Sequence, residues 1–80
     1  MRQETQFRIG VDIGGTFTDA VMLGADGLRW TAKSLTTRQD PSIGVIDCLE
    51  ILASTLSTGV PELLGRTATF VHGSTVGTNA

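Results

Sequence analysis

From Phe7 to Ile13, apolar Phe7, Ile9, Val11 and Ile13 alternate with Arg8, Gly10 and Asp12. That period of two marks a strand with one buried face. Gly14-Gly15 interrupts the run, and a second strand-like stretch follows from Phe17 to Leu23. Asp26-Gly27 is a hairpin signal, because both residue types tolerate the positive φ of a type I′ turn. The third run, Leu28 to Leu35, is rich in Thr, Trp and Leu and reads as the returning strand. Three antiparallel strands in a meander are therefore expected to open the chain.

The period then changes. Asp40-Pro41 offers an N-cap carboxylate followed by proline at the first helical position. Polar Asp47, Glu50, Ser54 and Ser57 recur at helical spacing, while Val45, Ile46, Cys48, Leu49, Leu52, Ala53 and Leu56 fill the opposite side. Gly44 in the first turn counts against helix propensity. Gly59 and Pro61 are read as the stop. Thr67 to His72 is a short β-prone run with alternation at Ala68 and Phe70. The order β-β-β-α-β makes an α/β unit whose last strand lies parallel to the first, after a crossover helix. Gly73-Ser74-Thr75 resembles the cap of a further helix. Since Ala80 follows so soon, residues 1–80 are expected to be an incomplete lobe, the N-terminal fragment of a longer protein.

Composition narrows the class. Hydrophobic residues are 40% of the 80 and glycine adds ten more, an ordinary globular mixture. Six basic and eight acidic residues give a net charge of -2. No Lys/Arg cluster occurs, so the basic stripe of a nucleic-acid binder is missing. The polar start, Met1 to Gln6, lacks the apolar core of a signal peptide, and no apolar run approaches a membrane span. The single Cys48 cannot form an intrachain disulfide and reads as packing. A cytoplasmic setting, with no membrane or nucleic-acid partner, is the expectation.

Candidate chemistry concentrates in Asp12-Ile13-Gly14-Gly15-Thr16-Phe17-Thr18-Asp19. A carboxylate ending a buried strand is costly unless paired or serving a cation. Gly14 and Gly15 let the backbone approach a ligand with no Cβ in the way, and their N–H groups can bind phosphate oxygens. Thr16 and Thr18 offer hydroxyls, and Asp12 is placed to hold Mg²⁺ directly or through water. The competing reading is a plain hairpin turn with a capping threonine. Asp19 serves either the site or the turn. The P-loop and dinucleotide-binding glycine patterns are absent.

The Asp12 to Thr16 turn resembles the first phosphate loop of the actin, Hsp70 and sugar-kinase ATPase superfamily. More narrowly, Gly10-Val11-Asp12-Ile13-Gly14-Gly15-Thr16-Phe17-Thr18-Asp19 is similar to the hydantoinase A and 5-oxoprolinase family. Where many sugar kinases carry a lysine after D-x-G-G-T, Phe17-Thr18-Asp19 follows here. A second string, His72-Gly73-Ser74-Thr75-Val76-Gly77-Thr78-Asn79-Ala80, resembles that family's H-G-T-T-x-A-T-N-A, departing at Ser74 and Gly77. The resemblance runs over essentially the whole chain. It implies a partial ribonuclease H-like lobe of an ATP- and Mg²⁺-dependent enzyme acting on a cyclic amide, or of the related acetone carboxylase subunit. ATP would phosphorylate an amide carbonyl oxygen, opening an unreactive ring to attack.

On that reading Asp12 is the catalytic, metal-holding residue, with Gly14, Gly15, Thr16, Thr18 and Asp19 at the cofactor. His72, Thr75 and Asn79 lie in the active-site vicinity. The partners implied are the small-molecule substrate, the rest of the chain and a hydantoinase B-type subunit. Three alternatives stay open: a small-molecule kinase, a nucleotide-gated protein without catalysis, or a truncated piece with no function of its own. His72 also reads as a hydrogen-bonded structural residue, Ser74 or Thr75 as a helix cap, Trp30 as sheet packing, and Thr36-Thr37-Arg38 as loop, where a basic residue could meet substrate or phosphate.

Overall fold

The computed structural model describes residues 6–74. Strands β1 (Phe7–Ile13), β2 (Phe17–Gly24) and β3 (Arg29–Leu35) form the expected meander. Helix α1 (Ser42–Thr55) and a short α2 (Val60–Gly65) then lead into β4 (Thr67–Ser74). The four strands lie in the order β3-β2-β1-β4, with β1 antiparallel to β2 and parallel to β4. The mixed sheet confirms the α/β class. The crossover brings the strand that ends in His72-Gly73-Ser74 alongside Asp12 and Ile13.

One face of the sheet carries the core. Phe7, Ile9 and Val11 of β1 meet Ala20 and Met22 of β2, and Cys48, Leu49, Leu52 and Ala53 of α1 close over them. Trp30 packs edge-on against Phe7 at 5.9 Å between ring centroids. The opposite face bears no helix among the described residues, so Asp12, Asp19, Val21 and Lys33 stand on an open sheet surface.

Four local readings change. The β2–β3 hairpin forms, but Gly27 alone of the Asp26-Gly27 pair takes positive φ (+90°). Gly27 donates to the Gly24 carbonyl and Gly24 donates to that of Leu28, making a longer loop than a two-residue type I′ turn. Ile46, assigned to the apolar side of α1, is 45% exposed. Gly59 and Pro61 do not stop α1; they start α2, with Gly59 as its N-cap and proline in its first turn. Gly73 and Ser74 continue β4 rather than capping a helix; the rest of that proposed helix lies outside the described residues.

The true stop of α1 lies earlier. Ser57 adopts the left-handed conformation (φ 60°), Ser57 N–H donates to the Ser54 carbonyl, and Thr58 N–H donates to that of Ala53. This is the paired bonding of a Schellman ending, where glycine is favoured. A Cβ in that region costs about 1 kcal/mol. Ser57→Gly is therefore expected to stabilise the fold by up to about 1 kcal/mol, read from chemical denaturation.

At the other end, α1 begins at Ser42 with Pro41, not Asp40, at the N-cap and no side-chain cap bond there. Asp40 Oδ1 still accepts from the Ser42 N–H at 3.2 Å and the Ser42 hydroxyl at 2.6 Å. Gly44 has a packing reason. A Cβ there would lie 3.0 Å from both the Leu35 carbonyl oxygen and Thr18 Oγ1. Gly44→Ala should therefore destabilise by about 1–3 kcal/mol through overpacking, against a propensity gain of at most about 1 kcal/mol. A melting curve of the variant checks the sign.

Candidate phosphate and metal site

The β1–β2 turn is closed by Gly14 N–H donating to the Phe17 carbonyl at 3.0 Å. That bond uses the Gly14 N–H, so of the two glycines only Gly15 retains a donor for a ligand. Among the described residues, the Gly15 and Thr16 N–H groups have no hydrogen-bond partner. Gly15 does not sit at positive φ, and a Cβ built on it meets nothing within 4 Å. Neither the turn's conformation nor its packing requires glycine there. Gly73, opposite Asp12 on β4, likewise has nothing within 4 Å of a built Cβ.

The turn is anchored from below. Thr36 N–H donates to the Thr16 carbonyl at 2.8 Å, and the Thr36 hydroxyl shares a 2.9 Å hydrogen bond with that of Thr18. Thr18 is fully buried on the helix side. Its hydroxyl is thus turned away from the turn's outer surface and supports the loop instead of lining it. Thr16 is exposed at the tip.

Asp12 and Asp19 are directly opposed across β1 and β2. Counting back from the bonded Gly14–Phe17 pair makes theirs a hydrogen-bonded position, with Cα atoms about 5.5 Å apart. Asp19 is in turn opposed by Lys33 on β3, whose Nζ lies 2.6 Å from Asp19 Oδ1 and 4.9 Å from the Phe17 ring centre. Among the described residues the exposed Asp12 carboxylate has no hydrogen-bond or ion-pair partner. Asp12 and Asp19 border an open concavity of about 430 Å³, lined also by Gly10, Val21, Arg29, Thr31 and Val71. A cation with six waters occupies on the order of 200 Å³ at about 30 Å³ per water. The concavity therefore has room for a hydrated Mg²⁺ beside a phosphate.

His72 lies elsewhere. It pairs in register with Val11 and lines an apolar groove with Ile13, Pro41, Val45 and Phe70 on the helix side, its ring 6.3 Å from that of Phe70. The sheet thus separates His72 from Asp12. Thr75 and Asn79 lie outside the described residues. Cys48 is fully buried, and its thiol donates to the Thr18 carbonyl at 3.3 Å. Burial pushes the thiol pKa up, aided by the charges of Asp19 and Asp47 and opposed by Lys33.

The sequence alone gives Lys33 no role and reads Thr36 only as loop. Lys33 was detectable in principle. The alternation of β3 puts it on the face opposite Ala32, but only the β2–β3 register shows that it meets Asp19.

Residues 8–80 match the hydantoinase/oxoprolinase N-terminal region family. The acetophenone carboxylase gamma subunit of Aromatoleum aromaticum is 42% identical over 71 residues, covering 89% of this chain and 10% of the relative. The caprolactamase subunit alpha of Pseudomonas jessenii is 31% identical over 75 residues, covering 94% of this chain and 11% of the relative. Among solved structures, the nucleotide-free form of acetone carboxylase, from a study of ATP-dependent acetone carboxylation, superposes with a TM-score of 0.80 at 27% identity. That likeness covers 90% of this chain and 10% of the acetone carboxylase chain. The chain thus spans about a tenth of the length of the proteins it matches. With the match running through both the Asp12–Asp19 and the His72–Ala80 strings, the chain belongs to the hydantoinase/oxoprolinase N-terminal region family.

Proposed function

We propose that this segment binds the phosphates of ATP in an enzyme that spends ATP to activate a carbonyl compound, and that ring opening of a cyclic amide is its reaction. The observation that carries the reading is Gly15. It is a glycine without a conformational or packing reason, beside N–H groups and a carboxylate that have no partner among the described residues. Such a cradle suits an anion approaching closer than a side chain would allow.

In this reading the Gly15 and Thr16 N–H groups hold phosphate oxygens, the Thr16 hydroxyl adds a donor, and Asp12 holds Mg²⁺ through water or directly. Held there, Mg²⁺ would supply charge stabilisation for phosphoryl transfer. Thr36 and buried Thr18 keep the turn from shifting, which matters because positioning is most of what phosphoryl transfer asks of a protein. Residues 1–80 form an incomplete N-terminal lobe, with adenosine and substrate contacts supplied by further chain and by a B-type subunit. The segment alone is then inactive, and the assembled enzyme works in the cytoplasm.

The caprolactamase relative supports a cyclic amide substrate. Carboxylation of a ketone is the second reading, favoured by the 42% identity to an acetophenone carboxylase subunit. Both reactions make a carbonyl oxygen the phosphoryl acceptor, so this lobe serves either. The full-length chain, with any B-type partner, is to be given labelled ATP and, in turn, hydantoins, 5-oxoproline, lactams, ketones with bicarbonate, and sugars. Phosphate release coupled to ring opening is the expected result. Coupling only to ketone carboxylation selects the second reading, and a stable sugar phosphate as sole product moves the protein to the kinases.

A further inference from the structure

The cross-strand row on the open face holds two carboxylates and one ammonium. Directly opposed like charges destabilise a strand pair, whereas opposed unlike charges stabilise it. Asp12 and Asp19 are the like pair, and Asp19 and Lys33 the unlike pair. The 2.6 Å contact shows which neighbour Asp19 engages. Lys33 itself is steered by a second contact, its ammonium lying over the face of Phe17 at the start of β2. The row therefore carries one net negative charge, located at Asp12, instead of two, and Arg29, which lines the same concavity, adds a positive charge there.

That difference decides what the site selects. Two adjacent free carboxylates with open space before them attract a bare dication. One carboxylate beside a neutralised partner offers a dication little by itself, so phosphate oxygens must complete the charge balance.

We propose that Lys33 sets the charge of the Asp12–Asp19 pair, so that the site takes a divalent cation together with nucleotide phosphates and discriminates against the free cation. This rests on the phosphate and metal site proposed above. Lys33 acts through Asp19 and is a positioning residue. Its side chain is 58% exposed and that of Asp19 51%, so losing the pair changes fold stability little.

The test is binding of Mn²⁺ as the probe, followed by electron paramagnetic resonance on the full-length protein, with and without ATP. In the unsubstituted protein Mn²⁺ should bind weakly alone and tightly with ATP. Lys33→Met is expected to tighten binding of Mn²⁺ alone about tenfold, the order given by one unit charge several ångströms from a dication at near-water dielectric. Adding Asp19→Asn to Lys33→Met should return the affinity to its starting value, and Lys33→Arg should leave it there. If Lys33→Met leaves the affinity for Mn²⁺ alone unchanged, or the double variant fails to revert it, the proposal is overturned while the site stands. If the unsubstituted protein shows no ATP-dependent Mn²⁺ binding at all, the site itself is overturned, and the role of Lys33 with it.

Discussion

Asp12→Asn is expected to lower substrate-dependent ATP turnover by about 10²–10³, the usual loss when one preorganised electrostatic contact leaves an active site. The substitution keeps the side chain's shape and removes its charge. On the proposed reading, the carboxylate attracts a cation whose charge matters most as the phosphoryl group is transferred. The rate deficit should therefore be largest at low Mg²⁺ and shrink as Mg²⁺ is raised.

Stability should move the other way. Among the described residues Asp12 has no partner to lose, and it faces Asp19 across the strand pair. Removing a directly opposed like charge relieves on the order of 0.2–1 kcal/mol. A variant that melts at the same temperature or slightly higher, yet turns over slowly, places Asp12 in the chemistry. A variant that melts lower and works normally once folded makes it a structural residue of the hairpin. Full-length Asp12→Asn with unchanged turnover at low Mg²⁺ ends the assignment of Asp12 as the metal-holding carboxylate.

The sheet was legible in the chain because its signals are local. Alternation from Phe7 to Ile13 and a glycine pair marked the first hairpin, and Asp26-Gly27 the second. Asp40-Pro41 marked the helix start because a short carboxylate reaching the N–H two residues on is a local event. The helix ends earlier than Gly59 and Pro61 suggest, for a physical reason. Glycine is the expected residue at the left-handed stop, but Ser57 holds that place, so the visible Gly59 and Pro61 drew the boundary past the intervening turn.

The site was legible only in part, because half of it depends on pairing between strands. Asp12, Gly15 and Thr16 share one short turn and could be named from adjacency. Adjacency to Thr16 and Asp19 makes Thr18 read as a ligand group, but the alternation of β2 sends it to the buried face with Ala20 and Met22. Lys33 lies 14 residues beyond Asp19 and reaches it through hairpin register, which adjacency does not reveal. His72 shared a motif with the site residues yet emerges on the other side of the sheet.

Gly15→Val separates a ligand cradle from a plain turn more directly than any substitution of a charged residue. The chain itself leaves room at this position: a built Cβ has no neighbour within 4 Å, and the backbone is outside the left-handed region. The cost to the fold should accordingly stay within the roughly 0.5 kcal/mol range of ordinary surface changes, and the melting temperature should barely shift. A phosphate seated against the Gly15 and Thr16 N–H groups would meet the isopropyl group at once. Loss of one charge-assisted hydrogen bond is worth about 1.5–3 kcal/mol, so ATP affinity should fall about 10–100-fold. Gly15→Ala, with a single methyl, should fall between the two. Thr16→Val then asks about the hydroxyl alone, since it leaves the Thr16 N–H in place, and its effect on affinity should be smaller than that of Gly15→Val. Titration calorimetry with ATP and Mg²⁺ on the full-length variants, beside their melting curves, reads both quantities. Unchanged ATP affinity in a folded Gly15→Val protein would make this loop a hairpin turn and nothing more.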